Sequence, residues 1–539
     1  MRDLNASEEQ DASQLHLLEE RQRLSTSALW RWQRQFFEEQ AIDAWRHSIV
    51  PHYLTSNTFI AQAYAKVVFG YLRDLVRHPH QPLKQQQTVH ILELGAGCGR
   101  FSYHFLKKFL PMLAQSPLSE VRIRYVMSDF SRGNLAFWLQ HPFLQPYIEQ
   151  GVLDFALADL SQPQDVVLQH SGIVLSGDPL VVLANYVFDS VEQDAFYVHD
   201  GVLYESLISL HSPQAEADPP DPAILQRLQA SFHNAPASAD YYPEKELNRI
   251  LAAYRDTLVD SHVLMPAQAM RYLAHLKRIS GNRMLLLSGD KGVAREEELL
   301  FNQPPHLASH GSISLAVNYH ALAQFAELHG GCAMHMPRLH NGLHICALAF
   351  EPQPLTHDSK LLLETRLAFN QHICQLSPGD FYLLKRFIQP NAAHLKLPQI
   401  LAYLRMSGWD SANFHGCYPA IMNNTEALEN PLRHELAMMA KQVWDTYYPL
   451  GEQADLGHTL GNLMYELDYF EEAITYLQHS RALYGDAAHT LYNIGMCHYN
   501  LQRQPQALEY VRHALRLDPA YEPARVMLIE LRAEMRQLA

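Results

Sequence analysis

The chain has 539 residues, with 42 Lys+Arg against 57 Asp+Glu and a formal net charge of −15. At 47 % apolar and 18 % charged residues it carries enough apolar material for packed cores, which excludes wholesale disorder. The acidic balance argues against a nucleic-acid-coating protein, which needs a cationic surface to displace counterions, and no apolar run reaches the ~18 residues of a membrane span.

The opening MRDLNASEEQDASQ is acidic and polar, so no secretory signal is expected. Six cysteines (98, 332, 346, 374, 417, 497) form no CxxC pair, which sets the expectation of reduced thiols in a cytoplasmic protein. Residues 1–88 read as a helical N-terminal region. Trp30, Trp32, Phe36, Phe37 and Trp45 punctuate charged residues there, as a helix-packing face does. Tyr64, Val67, Val68, Tyr71, Leu72 and Leu75 recur at helical spacing, and HPHQPLKQQQT (78–88) is a linker.

From residue 89 to 350 short apolar runs alternate with helix-like segments. VHILEL, VRIRYVMSD, LDFALAD, PLVVLANYVF, RMLLLSGDKG and HICALAF read as buried strands, which predicts an α/β domain built on a parallel sheet. SLHSPQAEADPPDPA (209–223) reads as an exposed loop, and 351–440 as a helical connector.

The strongest local signal is ILELGAGCGRFS (91–102). A strand ending at Glu93 passes through Gly95, Gly97 and Gly99 into a helix. Glycines there let the backbone turn tightly and approach a ligand, with helix amides aimed at it. A dinucleotide fingerprint would want a small residue where Arg100 stands. Asp129 closes the next strand, 36 residues after Glu93, and Asp159 closes the one after it. Each aspartate alone is as well explained by a turn or cap.

An acid followed by GxGxG resembles the first motif of class I S-adenosylmethionine (SAM) methyltransferases. The resemblance implies a Rossmann-like sheet, SAM as cofactor, and a cofactor site of Glu93, Gly95, Gly97, Gly99, Asp129 for ribose and Asp159 for the adenine amino group. The segment Asn185-Tyr186-Val187-Phe188-Asp189-Ser190-Val191 resembles more narrowly the MidA family, related to the complex I assembly-factor arginine methyltransferases. That family carries a motif like N-E-F-F-D-A-L-P at this strand end. TSNTFIAQAYAKVV (55–68) and SISLAVNYHALAQFAELHGG (312–331) look like two further family segments. Asn185 and Asp189 are thereby implied as catalytic. Tyr186 replaces the family acid and Glu192 its proline, which weakens an arginine acceptor, since a guanidinium needs a carboxylate to orient it and take its proton.

Cys332, His335, His340, His344 and Cys346 cluster, but their spacing matches no common zinc module, so no metal is expected. Asp290-Lys291 reads as a strand-end turn.

In residues 441–539 Leu460-Gly461 and Ile494-Gly495 lie 34 apart, as do Ala473 and Ala507, and Pro519 closes the second copy. This is the tetratricopeptide period, with small residues where the two helices of each hairpin cross. Gly485 stands where the first copy's proline belongs, and 522–537 read as a capping helix. The segment holds 8 basic against 13 acidic residues, which suits a partner of basic character. The expectation is a SAM-dependent methyltransferase whose repeats recruit a protein acceptor, with no nucleic-acid or membrane partner. A small-molecule methyltransferase and a non-catalytic scaffold are the alternatives.

Overall fold

The computed structural model describes residues 15–538 except 218–220, 338–341, 356–359, 426–427 and 453. The chain divides into two compact units, Met1–Asp380 and Phe381–Ala539.

The first unit is organised by a seven-stranded sheet. Its strands run in the order Cys332–His335, His344–Phe350, Met284–Asp290, Leu180–Asn185, Thr88–Leu94, Arg122–Asp129, Leu153–Leu157. The five strands from Met284–Asp290 to Leu153–Leu157 are mutually parallel, and His344–Phe350 runs antiparallel to its two neighbours. Counted along the chain the order is 3-2-1-4-5-7-6, the doubly wound order with an antiparallel strand inserted near one edge. Every residue of Met284–Asp290 and His344–Phe350 is buried, as strands covered on both faces require. This is the Rossmann-like, methyltransferase-type sheet that the sequence predicts.

Two expectations change. The N-terminal region is not wholly helical, because His16–Gln22 is a strand paired antiparallel with Val202–Ser212. The presumed loop at 209–223 is strand as far as Ser212; that strand sits in a second sheet with Asp194–His199, Ser261–Met265 and Gln229–Pro236. Residues 218–220 of that segment lie outside the described residues. The second sheet has a physical reason: Ile208, Leu210 and Ala195 bury against Leu24, Leu29, Trp30, Trp32 and Phe36. The N-terminal helix Ala28–Gln40 is thus packed beside the sheet rather than apart from it. Gln33 pins it, donating from Nε2 to the Ser190 carbonyl at 3.4 Å and accepting at Oε1 from Ile313 N at 3.0 Å.

The second unit is helical. Leu456–Glu466 pairs with Phe470–Tyr484, Ala488–Asn500 pairs with Gln504–Leu517, and Glu522–Leu538 follows. The 34-residue offsets recur as contacts. A Cβ on Gly461 would stand 2.6 Å from Leu477 Cγ, and one on Gly495 would stand 3.0 Å from Val511 Cγ2. Ala473 and Ala507 are fully buried at the two crossings. Among the described residues no helix is long and apolar enough to cross a membrane.

Candidate functional site

In a doubly wound sheet the crevice for a ligand opens at the carboxyl ends of the strands where the order reverses. Here that point lies between Thr88–Leu94 and Leu180–Asn185, so Glu93, Gly95, Asn185 and Tyr186 converge on it. The turn after the first strand needs its glycines: Gly95, Gly97 and Gly99 have φ of 60°, 52° and 80°. A Cβ on Gly95 would meet Val187 Cγ2 at 2.9 Å, and one on Gly97 would meet Trp45 Cζ2 at 2.8 Å. Gly99 begins the helix Arg100–Ala114 and does not line the cleft.

The cleft has two adjoining halves. The first is lined by Arg34, Asp129, Phe130, Ala158, Asp159 and Val187. Asp129 is anchored from behind, accepting from Gly97 N at 3.2 Å, Ser131 N at 3.0 Å and Asn134 Nδ2 at 3.1 Å. Burial pushes its carboxyl pKa up in spite of those donors. Asp159 faces the Arg34 guanidinium, which stands over the Phe130 ring at 4.9 Å. Burial opposes ionisation of Asp159, but hydrogen bonds from Arg34 and Ser161 outweigh it and hold the carboxyl below its ordinary range.

The second half is lined by His52, Glu93, Asn185, Asp189, Lys291 and Ser312, with the glycine loop as floor. Asn185 is fixed by Tyr64, whose hydroxyl donates to Oδ1 at 2.9 Å. Gly289 leaves room for that contact, since a Cβ there would lie 2.9 Å from the same oxygen. Tyr186 follows with φ of 54°, uncommon for a non-glycine residue, and its N–H donates to the Gly289 carbonyl at 2.9 Å. Asp189 accepts from Ser190 Oγ at 2.9 Å, and burial raises its pKa to about 6, so it is mainly a carboxylate at neutral pH. Asp290, read as a turn residue, is fully buried behind it. Its Oδ2 accepts from Phe188 N at 3.3 Å, and burial followed by the Asp189 charge holds it protonated well above the usual range. Glu93 is buried between the Ser102 hydroxyl and the Tyr125 hydroxyl, and burial lifts its pKa to about 7. Burial, then Arg100, lowers His52 to about 3, so that imidazole is neutral.

The structure therefore brings seven of the eight expected residues to one cleft; Gly99 stays on the turn. The aromatic segment needs correction. Trp32 and Phe36 are core residues as expected, but Phe37 and Trp45 line both halves of the cleft and Trp30 the first. Arg34 and Trp45 carried no motif, whereas Tyr64 and Ser190 fall inside segments that resemble the family without being singled out there. For Arg34 and Trp45 the only local signal was the aromatic, helix-like spacing of the segment around them. His335 Nδ1 and His344 Nε2 lie 3.4 Å apart, His340 falls outside the described residues, and no group of three metal-ligating residues forms among the described ones.

Residues 488–521 match the tetratricopeptide repeat model. No curated protein sequence matches the chain. Solved structures that resemble it include an uncharacterized protein of Burkholderia thailandensis, 13 % identical, covering 61 % of this chain and 88 % of that one at a TM-score of 0.38. Another protein of that organism, with S-adenosyl-homocysteine bound, is 11 % identical over 60 % of this chain and 93 % of that one, at 0.36. The 1,6-didemethyltoxoflavin-N1-methyltransferase of the same organism is 12 % identical over 64 % and 97 %, at 0.29. These are partial overlays at low identity, and the fold rests on the strand order and connectivity of the sheet.

Proposed function

We propose that the chain is a SAM-dependent methyltransferase acting on a protein side chain, with the tetratricopeptide segment recruiting the acceptor protein. The observation that carries this reading is the two-part cleft at the point where the strand order reverses. One half holds a carboxylate anchored by backbone amides beside an apolar plane, and the adjoining half holds Asn185 and Asp189.

The residues present fit the cofactor. Gly95 and Gly97 keep the left-handed backbone of the loop bare of side chains, with Val187 and Trp45 closing on it, and Asp129 is a buried carboxylate that gains from hydroxyl donors in the cleft. In this reading Asp129 holds the ribose, Phe130 and Val187 flank the adenine, and the glycine loop carries the amino-acid end. SAM supplies an electrophilic methyl group on a sulfonium. The chain's own part in the transfer is then to hold the acceptor in line and to accept its proton. Asn185, fixed by Tyr64, orients the acceptor through its carboxamide. Asp189, ionised at neutral pH, takes the proton. The missing acid at Tyr186 leaves Asp189 as the ionised carboxylate of this turn facing the second half.

Calorimetric titration of SAM into the full-length protein tests the reading. The expected result is binding by the wild type and loss of at least tenfold in affinity for Asp129→Ala, the scale of a lost charge-assisted hydrogen bond. Absence of binding by the wild type overturns it. Labelled SAM in a cell lysate then separates acceptors: label confined to small metabolites overturns the protein acceptor.

A further inference from the structure

The two halves of the cleft share a short wall. Phe37, Trp45, Gly95, Tyr186 and Ser190 face both, so they stand at the junction between the half with Asp129 and Asp159 and the half with Asn185 and Asp189. The junction is aromatic. Phe37 and Trp45 stack with ring centroids 6.0 Å apart and planes 25° apart, and Phe130 meets Phe37 edge-on at 6.4 Å. The Trp45 ring reaches over the glycine loop, as its 2.8 Å approach to a Cβ on Gly97 shows.

These rings are not there merely as core. Trp30, Trp32 and Phe36 on the same segment are buried in the cluster under the second sheet, whereas Phe37 and Trp45 are only half-buried and pack at its margin. Two large aromatic faces kept partly open to the cleft cost solvation unless something apolar or cationic covers them. Of the carboxylates lining the second half, Glu93 is engaged by Ser102 and Tyr125 with its pKa raised to about 7, and Asp189 is the ionised one.

In the methyltransferase reading, adenosine occupies one half and the acceptor the other, so the methyl group crosses at this junction. Resting on the methyltransferase reading above, we propose that Trp45, backed by Phe37, is the sulfonium-recognition wall of the cleft and makes the protein prefer SAM to S-adenosylhomocysteine. The two molecules share adenosine and amino-acid ends and differ at the sulfur, which is cationic in one and neutral in the other. An aromatic face attracts the first electrostatically and is indifferent to the charge of the second. The same wall favours exchange of spent cofactor for fresh, because the product has lost the charge that the rings hold.

Calorimetry with SAM and S-adenosylhomocysteine in parallel tests this without any turnover. Trp45→Leu is expected to lower SAM affinity about tenfold and S-adenosylhomocysteine affinity less than about threefold, so that the ratio falls, within the range of desolvated cation–π contacts. Trp45→Phe keeps a ring and should keep most of the ratio, and Phe37→Leu should reduce it less than Trp45→Leu does. Melting curves of each variant confirm folding. Equal losses for both ligands in Trp45→Leu overturn the proposal, since plain packing would weaken both alike. A Trp45→Phe ratio as low as that of Trp45→Leu overturns it too. If the wild type binds neither ligand, the methyltransferase reading itself fails, an outcome distinct from equal losses.

Discussion

The Arg34 guanidinium grips the Asp159 carboxylate through two hydrogen bonds, Nη1 to Oδ2 at 2.9 Å and Nη2 to Oδ1 at 3.0 Å. The pair joins the helix Ala28–Gln40 to the end of the sheet beside the first half of the cleft. It also means that the acid assigned from the sequence to an adenine amino group already has a strong partner. Asp159 shapes that half chiefly by holding Arg34 over Phe130.

Removing Arg34 therefore loosens a wall of the cleft. Arg34→Ala is expected to cost about 1 kcal/mol of stability at pH 7, the scale of a bidentate but partly exposed pair. The pH dependence has a definite sign. Asp159 has a depressed pKa in the folded state, so its contribution is present above the ordinary value near 3.8 and is lost as pH falls through the lower folded value. Wild type and Arg34→Ala should differ by a constant amount between pH 5 and 8 and converge below about pH 3.8. Thermal melts across that range check it, and a difference that grows in acid would contradict it.

Why the glycine loop was legible while Arg34 was not is a matter of range. Gly95, Gly97, Asp129 and the strands before them obey local rules of strand ends and turns, whereas Asn185 and Asp189 were reached through the family resemblance of their segment. Six of the seven strands follow from their apolar runs, and the edge strand Cys332–His335, with one buried residue of four, carries no such run. Arg34 and Asp159 are 125 residues apart, and Trp45 reaches Gly97 from a different layer. No local pattern encodes such meetings. The second sheet was hidden for another reason: Gln229–Pro236 reads QASFHNAP, with no residue of it fully buried, so it lacks the apolar signal of a core strand. The repeat was legible because its contacts are periodic, with Gly461 against Leu477 and Gly495 against Val511.

Glu93 costs the molecule stability as pH rises towards neutrality. Its pKa rises from 4.5 to about 7 on folding, chiefly through burial and against the hydrogen bonds of Ser102 and Tyr125. A raised acid contributes stability fully below its unfolded value and loses it as pH climbs to the folded one, here between about 4.5 and 7. The loss is on the order of 3 kcal/mol at 1.36 kcal/mol per pKa unit. Glu93→Gln keeps a carbonyl for both hydroxyl donors and removes the titration. Its stability should match the wild type near pH 5 and exceed it at pH 8, as read by denaturant unfolding at the two pH values. A variant less stable than wild type at pH 8 would show that the carboxylate is held by something stronger than these two hydroxyls.

In the helical unit the decisive small residue is Gly457. A Cβ there would lie 2.8 Å from both the Tyr476 carbonyl oxygen and the Ser480 nitrogen, which are backbone atoms of the facing helix and cannot swing aside. Alanine gains about 1 kcal/mol of helix propensity over glycine. Overpacking against backbone costs about 1–3 kcal/mol. Against backbone that cannot swing aside the second term sits in the upper part of its range, so Gly457→Ala should weaken the packing of Leu456–Glu466 on Phe470–Tyr484 by a net loss of about 1–2 kcal/mol. Gly485 offers the contrast: φ is 85° and nothing lies within 4 Å of a Cβ there, so Gly485→Ala pays only for backbone strain at the end of Phe470–Tyr484. Amide exchange distinguishes the two. Gly457→Ala is expected to speed exchange across both helices of the hairpin, by about fivefold or more for each 1 kcal/mol lost, whereas Gly485→Ala affects the last turn of one helix. Protection unchanged in Gly457→Ala would mean that the two helices can part by several tenths of an ångström without loss, contrary to the close backbone approach at Gly457.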